Sequence, residues 1–254
     1  PGWPSDFKLR IAVLTDIHAG EPYMSLKRIE RIVETTNALK PDLTLLLGDF
    51  STGHRMITRQ VPIKDTASVC AGLTAPLGRH AILGNHDWWD DRAAQKRQSG
   101  PSLYGDTLKA AGIPVYENDG VRLEHNGRPF WLLGLGDQVA FIRGRGRFKG
   151  VDDLDGTLAK VTDDAPVILM IHEPDAFVKV PKRVSLTLAG HTHGGQVRLF
   201  GYSPVVPSIY GNRFAYGHVV EDDRHLIVSG GLGCSILPVR FGVPPEIVLI
   251  ELGS

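Results

Sequence analysis

The chain has 254 residues, 42% of them hydrophobic and 22% charged, an ordinary globular composition with enough length for a sizeable core. Twenty-eight basic residues balance 28 acidic ones, so no overall field selects nucleic acid or an anionic membrane; Cys70 and Cys234 are too few for a disulfide framework. No apolar run approaches the roughly 20 residues of a membrane helix.

The predicted elements follow a recurring pattern in which an apolar run ends in Gly, Asp or His. Leu9–Leu14 reads as a buried strand leading to Thr15-Asp16-Ile17-His18. Leu26, Ile29, Ile32, Val33 and Leu39 then recur at helical spacing, with Ser25 as N-cap and Pro41 closing the segment. Leu43–Leu47 leads to Gly48-Asp49, a helix is predicted near Thr66–Leu73, and Ala81–Leu83 leads to Gly84-Asn85-His86-Asp87. A further helix is predicted over Leu103–Ala111, with Gly112 as its stop. Val121–Glu124 and Pro129–Leu133 flank Asn126-Gly127, a strong hairpin signal. After a short helix near Asp155–Val161, Val167–Ile171 leads to His172, and Val184–Ala189 leads to Gly190-His191-Thr192-His193. From Gln196 onward the chain reads as mainly β, with runs at Gln196–Phe200, Gly217–Val220, His225–Val228 and Ile247–Leu252. No repeat or linker divides it, which predicts one domain over residues 1–254. The start at Pro1-Gly2, without Met, suggests an expressed fragment or a processed chain from which a signal or anchor has been removed.

Taken singly, the polar residues at these strand ends are ambiguous. Asp16 and His18 alternate around Ile17, so on an extended strand end they point the same way, yet Asp-x-His is a short pattern. Asp49 reads equally as a capping carboxylate, and His172 as a hydrogen-bonded core histidine. Asn85 offers a neutral carbonyl oxygen to a metal or bonds its own turn. His191 and His193, paired among glycines, point more firmly to metal. The joint pattern decides, because five strand ends each deliver an oxygen or imidazole donor of the kind two divalent cations need.

In this combination the sequence resembles the calcineurin-like metallophosphoesterases, whose ordered blocks match Asp16/His18, Gly48-Asp49, Gly84–Asp87, His172 and Gly190–His193. The resemblance implies an α/β fold, a four-layer αββα sandwich of two mixed sheets flanked by helices. It implies one metal held by Asp16, His18, Asp49 and His193 and a second by Asp49, Asn85, His172 and His191, with Asp49 bridging. It also implies His86 as the residue that contacts phosphate and protonates the leaving oxygen. The cofactors would be two divalent ions, Mn, Fe, Zn or Ni. One position departs from the family: many members carry Asp where this chain has Thr52, so the orientation of His86 would fall to Asp87 or His54. Gly190–Gln196 and Pro238–Glu251 resemble the small bacterial branch often made with an N-terminal signal or anchor. That branch includes phosphodiesterases and UDP-diacylglucosamine hydrolase-like members, and implies a cytoplasmic or cell-envelope location with membrane association through an upstream segment.

The expected reaction is hydrolysis of small organic or lipid-linked phosphodiesters or pyrophosphates, with two cations activating a water for in-line attack and His86 as general acid. Two loops are candidates for substrate contact. Arg143, Arg145 and Arg147 alternate with Gly144 and Gly146 in a flexible loop that reaches a second phosphate or is simply solvated. Trp88 either stacks on substrate or fills core, as does Trp89, and His54 is a further candidate contact. A nuclease and a catalytically silent metal-binding scaffold are the alternatives. Neutral charge disfavours the first and the intact His86 the second. The absence of a His-x-His-x-Asp-His run disfavours a metallo-β-lactamase fold. No obligatory nucleic-acid partner is implied, and the oligomeric state is not fixed by the sequence.

Overall fold

In the computed structural model, which describes residues 2–253, the first strand β1 (Leu9–Leu14) is all but wholly buried. It is followed by β2 (Gly20–Glu21), α1 (Leu26–Ala38), β3 (Leu43–Leu46), β4 (Arg59–Gln60), α2 (Ile63–Cys70) and β5 (Arg79–Ala81). Three helices come next, α3 (Asn85–Trp89), α4 (Arg92–Arg97) and α5 (Leu103–Ala110). The second half runs β6 (Asp119–His125), β7 (Arg128–Gly134), β8 (Phe141–Gly144), β9 (Arg147–Lys149), α6 (Leu154–Leu158), β10 (Val167–Met170) and β11 (Leu186–Ala189). It closes with β12 (Gly217–Glu221), β13 (Arg224–Val228) and β14 (Val248–Leu252).

Two mixed sheets result. The first has the order β14-β1-β3-β5, parallel except for β14, and the second β12-β13-β11-β10-β7-β6, parallel except for its two edges β12 and β6. The period-two alternation of side chains assigns each face. Ile11, Val13, Leu43 and Leu45 pack against Leu132, Ile168, Met170 and Leu188 in an apolar layer between the sheets. Their alternates Ala12, Leu14 and Leu46 face outward, under Ile29, Val33, Ala67, Cys70 and Leu108 of α1, α2 and α5. On the other side Leu133, Val167 and Leu169 lie under Phe177 and Phe214, which sit in 3-10 turns. This is the expected four-layer sandwich, with its second outer layer built largely from short turns.

Local chemistry explains most element ends. The Ser25 hydroxyl accepts from the Arg28 N–H at 3.2 Å and caps α1. Asn126 and Gly127, at φ 51° and 74°, make the tight turn of the β6–β7 hairpin. Three expectations need correction, and one helix was not foreseen. Helix α2 begins at Ile63, three residues before Thr66, and ends at Cys70. Helix α4 is unanticipated and is capped by Asp91, whose carboxylate accepts from the Ala93 and Ala94 N–H groups at 3.0 Å. The arginine-glycine segment is the ordered hairpin β8–β9, turning through positive φ at Gly144, Arg145 and Gly146. Gln196–Phe200 is not a strand, because Gln196 and Phe200 take φ of 56° and 49° and leave only single bridges from Val197 to Phe241 and from Leu199 to Tyr202.

Candidate metal centre

All the predicted donors lie just past the C-terminal ends of parallel strands, where the two sheets meet. Asp16 and His18 follow β1, Asp49 follows β3, Asn85 and His86 open α3 after β5, His172 follows β10, and His191 and His193 follow β11. Backbone pairing continues beyond the strands and fixes the relative heights of these loops: Asp16 N–H donates to Gly48 O at 3.0 Å, His18 N–H to Asp49 O at 3.0 Å, and Gly190 N–H to His172 O at 3.1 Å. The mechanism of convergence differs from the expected extended alternation. Asp16, His18, Asp49, His191 and His193 all have left-handed backbones, with φ between 47° and 68°. Non-glycine residues rarely adopt that conformation, and five in one cluster mark a site at which chain geometry is held for a purpose other than folding.

The first donor group joins Asp16, His18 and His193. His18 Nε2 lies 3.1 Å from His193 Nε2, and Asp16 Oδ1 lies 3.3 Å from the latter and 3.9 Å from the former. His18 Nδ1 is 2.7 Å from the Ser51 carbonyl, so it carries the proton and leaves Nε2 as the lone-pair donor. Burial pushes His18 down to about 3, and burial with His18 and the Arg240 guanidinium holds His193 well below its usual range. Both rings are therefore neutral donors.

The second group joins Asp49, Asn85, His172 and His191. Asp49 Oδ2 lies 3.3 Å from His172 Nε2 and 3.5 Å from His18 Nε2, so one carboxylate oxygen stands between the two groups. His172 Nδ1 donates to the Leu47 carbonyl at 2.7 Å, and its Nε2 is buried with no hydrogen-bond partner among the described residues. His191 Nδ1 lies 2.9 Å from Asn85 Oδ1. Burial opposes charge on His172, but Asp49 outweighs it and raises that ring's proton affinity. Asp16 is pushed up to about 6, chiefly by burial. Two buried carboxylates thus face four imidazoles of which only His172 favours its charged form, and its Nε2, without a hydrogen bond among the described residues, points at Asp49 Oδ2. The donor set, oxygen and imidazole without thiolate, fits borderline divalent cations.

His86 is half-buried beside these groups. Its N–H donates to Asp49 Oδ1 at 2.9 Å, and its ring stands edge-on to His18, centroids 4.9 Å apart. A His86 nitrogen lies within 4.8 Å of donor atoms of His18 and Asp49. Its other face meets Trp89 at 5.1 Å, and Trp89 stacks on Phe148 of β9 at 5.4 Å. Trp89, whose indole donates to the Val139 carbonyl at 2.9 Å, is thus a positioning residue for His86 that the sequence did not single out in that role.

The two residues expected to replace the missing Asp at Thr52 do other work. Asp87 is fully buried and accepts backbone N–H bonds from Asp49, Phe50, Ser51 and Gly84 at 2.8–3.0 Å, holding the Asp49 loop. His54 is 8% exposed, accepts from the Met56 N–H at 3.2 Å and lies under the Tyr23 ring. Thr52 itself donates to the His54 carbonyl. As a substrate contact Trp88 is also corrected: it is completely buried, edge-on to Phe141 at 5.3 Å, and belongs to the core. Arg143 and Arg145 are exposed on the β8–β9 hairpin, whose root reaches His86 through Phe148 and Trp89.

Two residues that stand in the sequence blocks make contacts here that the sequence did not show. Arg240 arrives from far along the chain, its Nη2 3.1 Å from His193 Nδ1 and its Nε donating to the Gly233 carbonyl at 2.8 Å. Gly84 is required by space: a Cβ there would lie 2.4 Å from Asp49 Oδ1 and 2.5 Å from His172 Cε1. Gly84→Ala is expected to keep the helical and sheet content by circular dichroism while lowering kcat by about a hundredfold, since misplacing a site by an ångström costs that much. A variant as active as wild type would show that the loop moves without consequence.

Residues 9–195 match the family described as calcineurin-like phosphoesterase. YkuE of Bacillus subtilis, an uncharacterized metallophosphoesterase, is 31% identical over 246 residues, covering 96% of this chain and 79% of that protein. Phosphodiesterase YaeI of Escherichia coli is 28% identical over 244 residues, covering 96% and 82%. A putative metallophosphoesterase of Caenorhabditis elegans is 30% identical over 254 residues, with 95% of this chain matched and 48% of that protein, so the chain spans about half its length.

Proposed function

The chain belongs to the calcineurin-like phosphoesterase family, and from that premise we propose that it is a phosphodiesterase acting on small organic or lipid-linked phosphodiesters or pyrophosphates. It is a metal-dependent phosphoester hydrolase by family. The finer reading draws its support from YaeI, a relative called a phosphodiesterase, 82% of which is matched by this chain. The observation that carries the two-ion arrangement is Asp49 Oδ2, shared between His18 Nε2 and His172 Nε2 at 3.5 and 3.3 Å.

In this reading Asp16, His18, Asp49 and His193 hold one divalent ion, and Asp49, Asn85, His172 and His191 the other. When bound, such a pair supplies Lewis-acid stabilisation of phosphoryl oxygen charge and lowers the pKa of a water. The protein's own side chains do the rest. The Ser51 and Leu47 carbonyls fix the tautomers of His18 and His172, so that each Nε2 presents a lone pair. His86, half-open at the edge of the group, contacts the phosphate and delivers a proton to the departing oxygen. Trp89 limits the ring's rotation.

Hydrolysis of a bis-aryl phosphate is expected to fall by on the order of a hundredfold or more after chelation and dialysis, and to return on adding Mn, Fe, Zn or Ni. A folded, chelator-treated sample with undiminished turnover would refute the reading. An aryl monophosphate assayed alongside separates diester from monoester preference. The exposed arginines of β8–β9 favour one second reading, a nuclease, which single-stranded and duplex DNA under the same metal conditions would reveal.

A further inference from the structure

Residues 196–205 and 235–243 form one surface beside the donor groups. Arg198 N–H donates to Phe241 O and Phe241 N–H to Gln196 O, both at 2.8 Å, while the Gln196 side-chain amide donates to the Leu237 and Val239 carbonyls at 3.0 and 3.2 Å. This laced pair of loops displays large apolar side chains outward. Phe200 is fully exposed, Ile236 is 73% exposed, and Val205, Tyr202, Leu237 and Phe241 are exposed as well. Single exposed apolar residues are normal on a protein surface, but six large ones on two adjoining loops are more than that.

The backbone is arranged for that display. Leu199 and Tyr202 exchange hydrogen bonds of 2.8 and 2.9 Å around a two-residue turn in which Phe200 and Gly201 take φ of 49° and 83°. The first position of such a turn favours Asn, Asp or Gly, and here holds Phe. Ile236, β-branched, sits at φ 64°, a conformation that such residues strongly disfavour. Neither residue gains burial within the chain in return.

Charge selects the occupant. The chain as a whole is neutral, yet the sequence contains no Asp or Glu between Asp175 and Glu221, or between Asp223 and Glu246, and both loops carry an arginine, Arg198 and Arg240. Apolar tips without carboxylates, backed by two half-buried arginines, Arg198 held at Ser203 and Arg240 at the Gly233 carbonyl, give this surface a positive cast that matches a bilayer bearing anionic headgroups, where apolar side chains enter the acyl boundary. Tyr202 is of the type that settles at that interface.

We propose that this surface docks the protein on anionic phospholipid bilayers. Its position gives docking a consequence: Gln196 follows His193 by three residues, and Arg240 touches His193. The donor groups therefore border the headgroup layer, and the substrate class is a phosphodiester carried by a lipid. That last step rests on the phosphodiesterase reading, whereas the docking does not.

The test is flotation of the metal-loaded full chain with vesicles of phosphatidylcholine alone and of equal phosphatidylcholine and phosphatidylglycerol. Binding to the anionic vesicles is expected to exceed binding to the neutral ones by about tenfold and to weaken with salt. Phe200→Ser with Ile236→Ser should cut it by on the order of tenfold or more, with bis-aryl phosphate hydrolysis and the unfolding temperature unchanged. Phe200→Trp should still bind, and its fluorescence should be quenched by brominated lipid. Equal binding to both vesicle types, no binding, or full binding by the double serine variant would overturn the proposal. So would a dimer that the serine substitutions dissolve, which would make the surface a self-association site. Vesicle binding without hydrolysis of any phosphodiester would sink the phosphodiesterase reading and leave the docking standing.

Discussion

Asp49→Asn is expected to strip the protein of both divalent ions and to lower kcat on a bis-aryl phosphate by about a thousandfold or more, on the order of 4 kcal/mol of transition-state stabilisation. The substitution keeps shape. The remaining side-chain oxygen can still accept the His86 N–H, now made at 2.9 Å, so the start of α3 should stay in place. What changes is the group 3.5 Å from His18 and 3.3 Å from His172, where an anionic oxygen becomes an amide donor. Each ring nitrogen then accepts a hydrogen bond in place of a cation. Asp49→Ala removes shape and charge together, so comparing the two separates ligation from packing. Metal analysis beside the kinetics reads the result. Two ions retained per chain in the Asn variant would refute the bridging role, and loss of one alone would assign Asp49 to a single group.

The donors were legible because each lies directly after an apolar run, and a buried strand end has little structural use for Asp, Asn or paired His. The four layers were implied by the family resemblance, and the alternation of the same runs agrees with them: Ile11 and Val13 go to one layer and Ala12 and Leu14 to the other. The local geometry was less legible. Extended alternation around Ile17 and Thr192 would also orient the pairs together, but the chain instead uses left-handed residues at Asp16, His18, His191 and His193, which pattern cannot distinguish from a strand end. Trp88 and Trp89 are adjacent and chemically alike, yet one is sealed in the core and the other lies on His86, a difference set by helix phase over five residues. Arg240 was out of reach because its place is fixed by a turn that returns from the surface loop to Gly233. Asp87 was read with His86 as a polar neighbour; its four backbone acceptor contacts show a carboxylate used to hold a loop.

His86→Ala should leave metal content intact and lower kcat by on the order of a hundredfold to ten-thousandfold, the usual yield of a positioned general acid. The geometry separates this residue from the donors. Its backbone N–H, not its ring, contacts Asp49, and that bond survives truncation. Its ring is half-exposed, edge-on to His18 and tilted against Trp89, and among the described residues it makes no hydrogen bond to a carboxylate of the kind an Asp at the Thr52 position would supply. An acid placed by packing should be sensitive to its packing neighbour. Trp89→Ala is therefore expected to lower kcat more than it raises KM, by about tenfold, because the ring gains rotational freedom. The decisive measurement is the dependence on leaving group. A phenolate that departs readily needs little proton donation, so the His86→Ala defect should shrink across a series of aryl phosphodiesters as the phenol becomes more acidic. A defect of equal size across the series would mean that His86 positions the phosphate and transfers no proton.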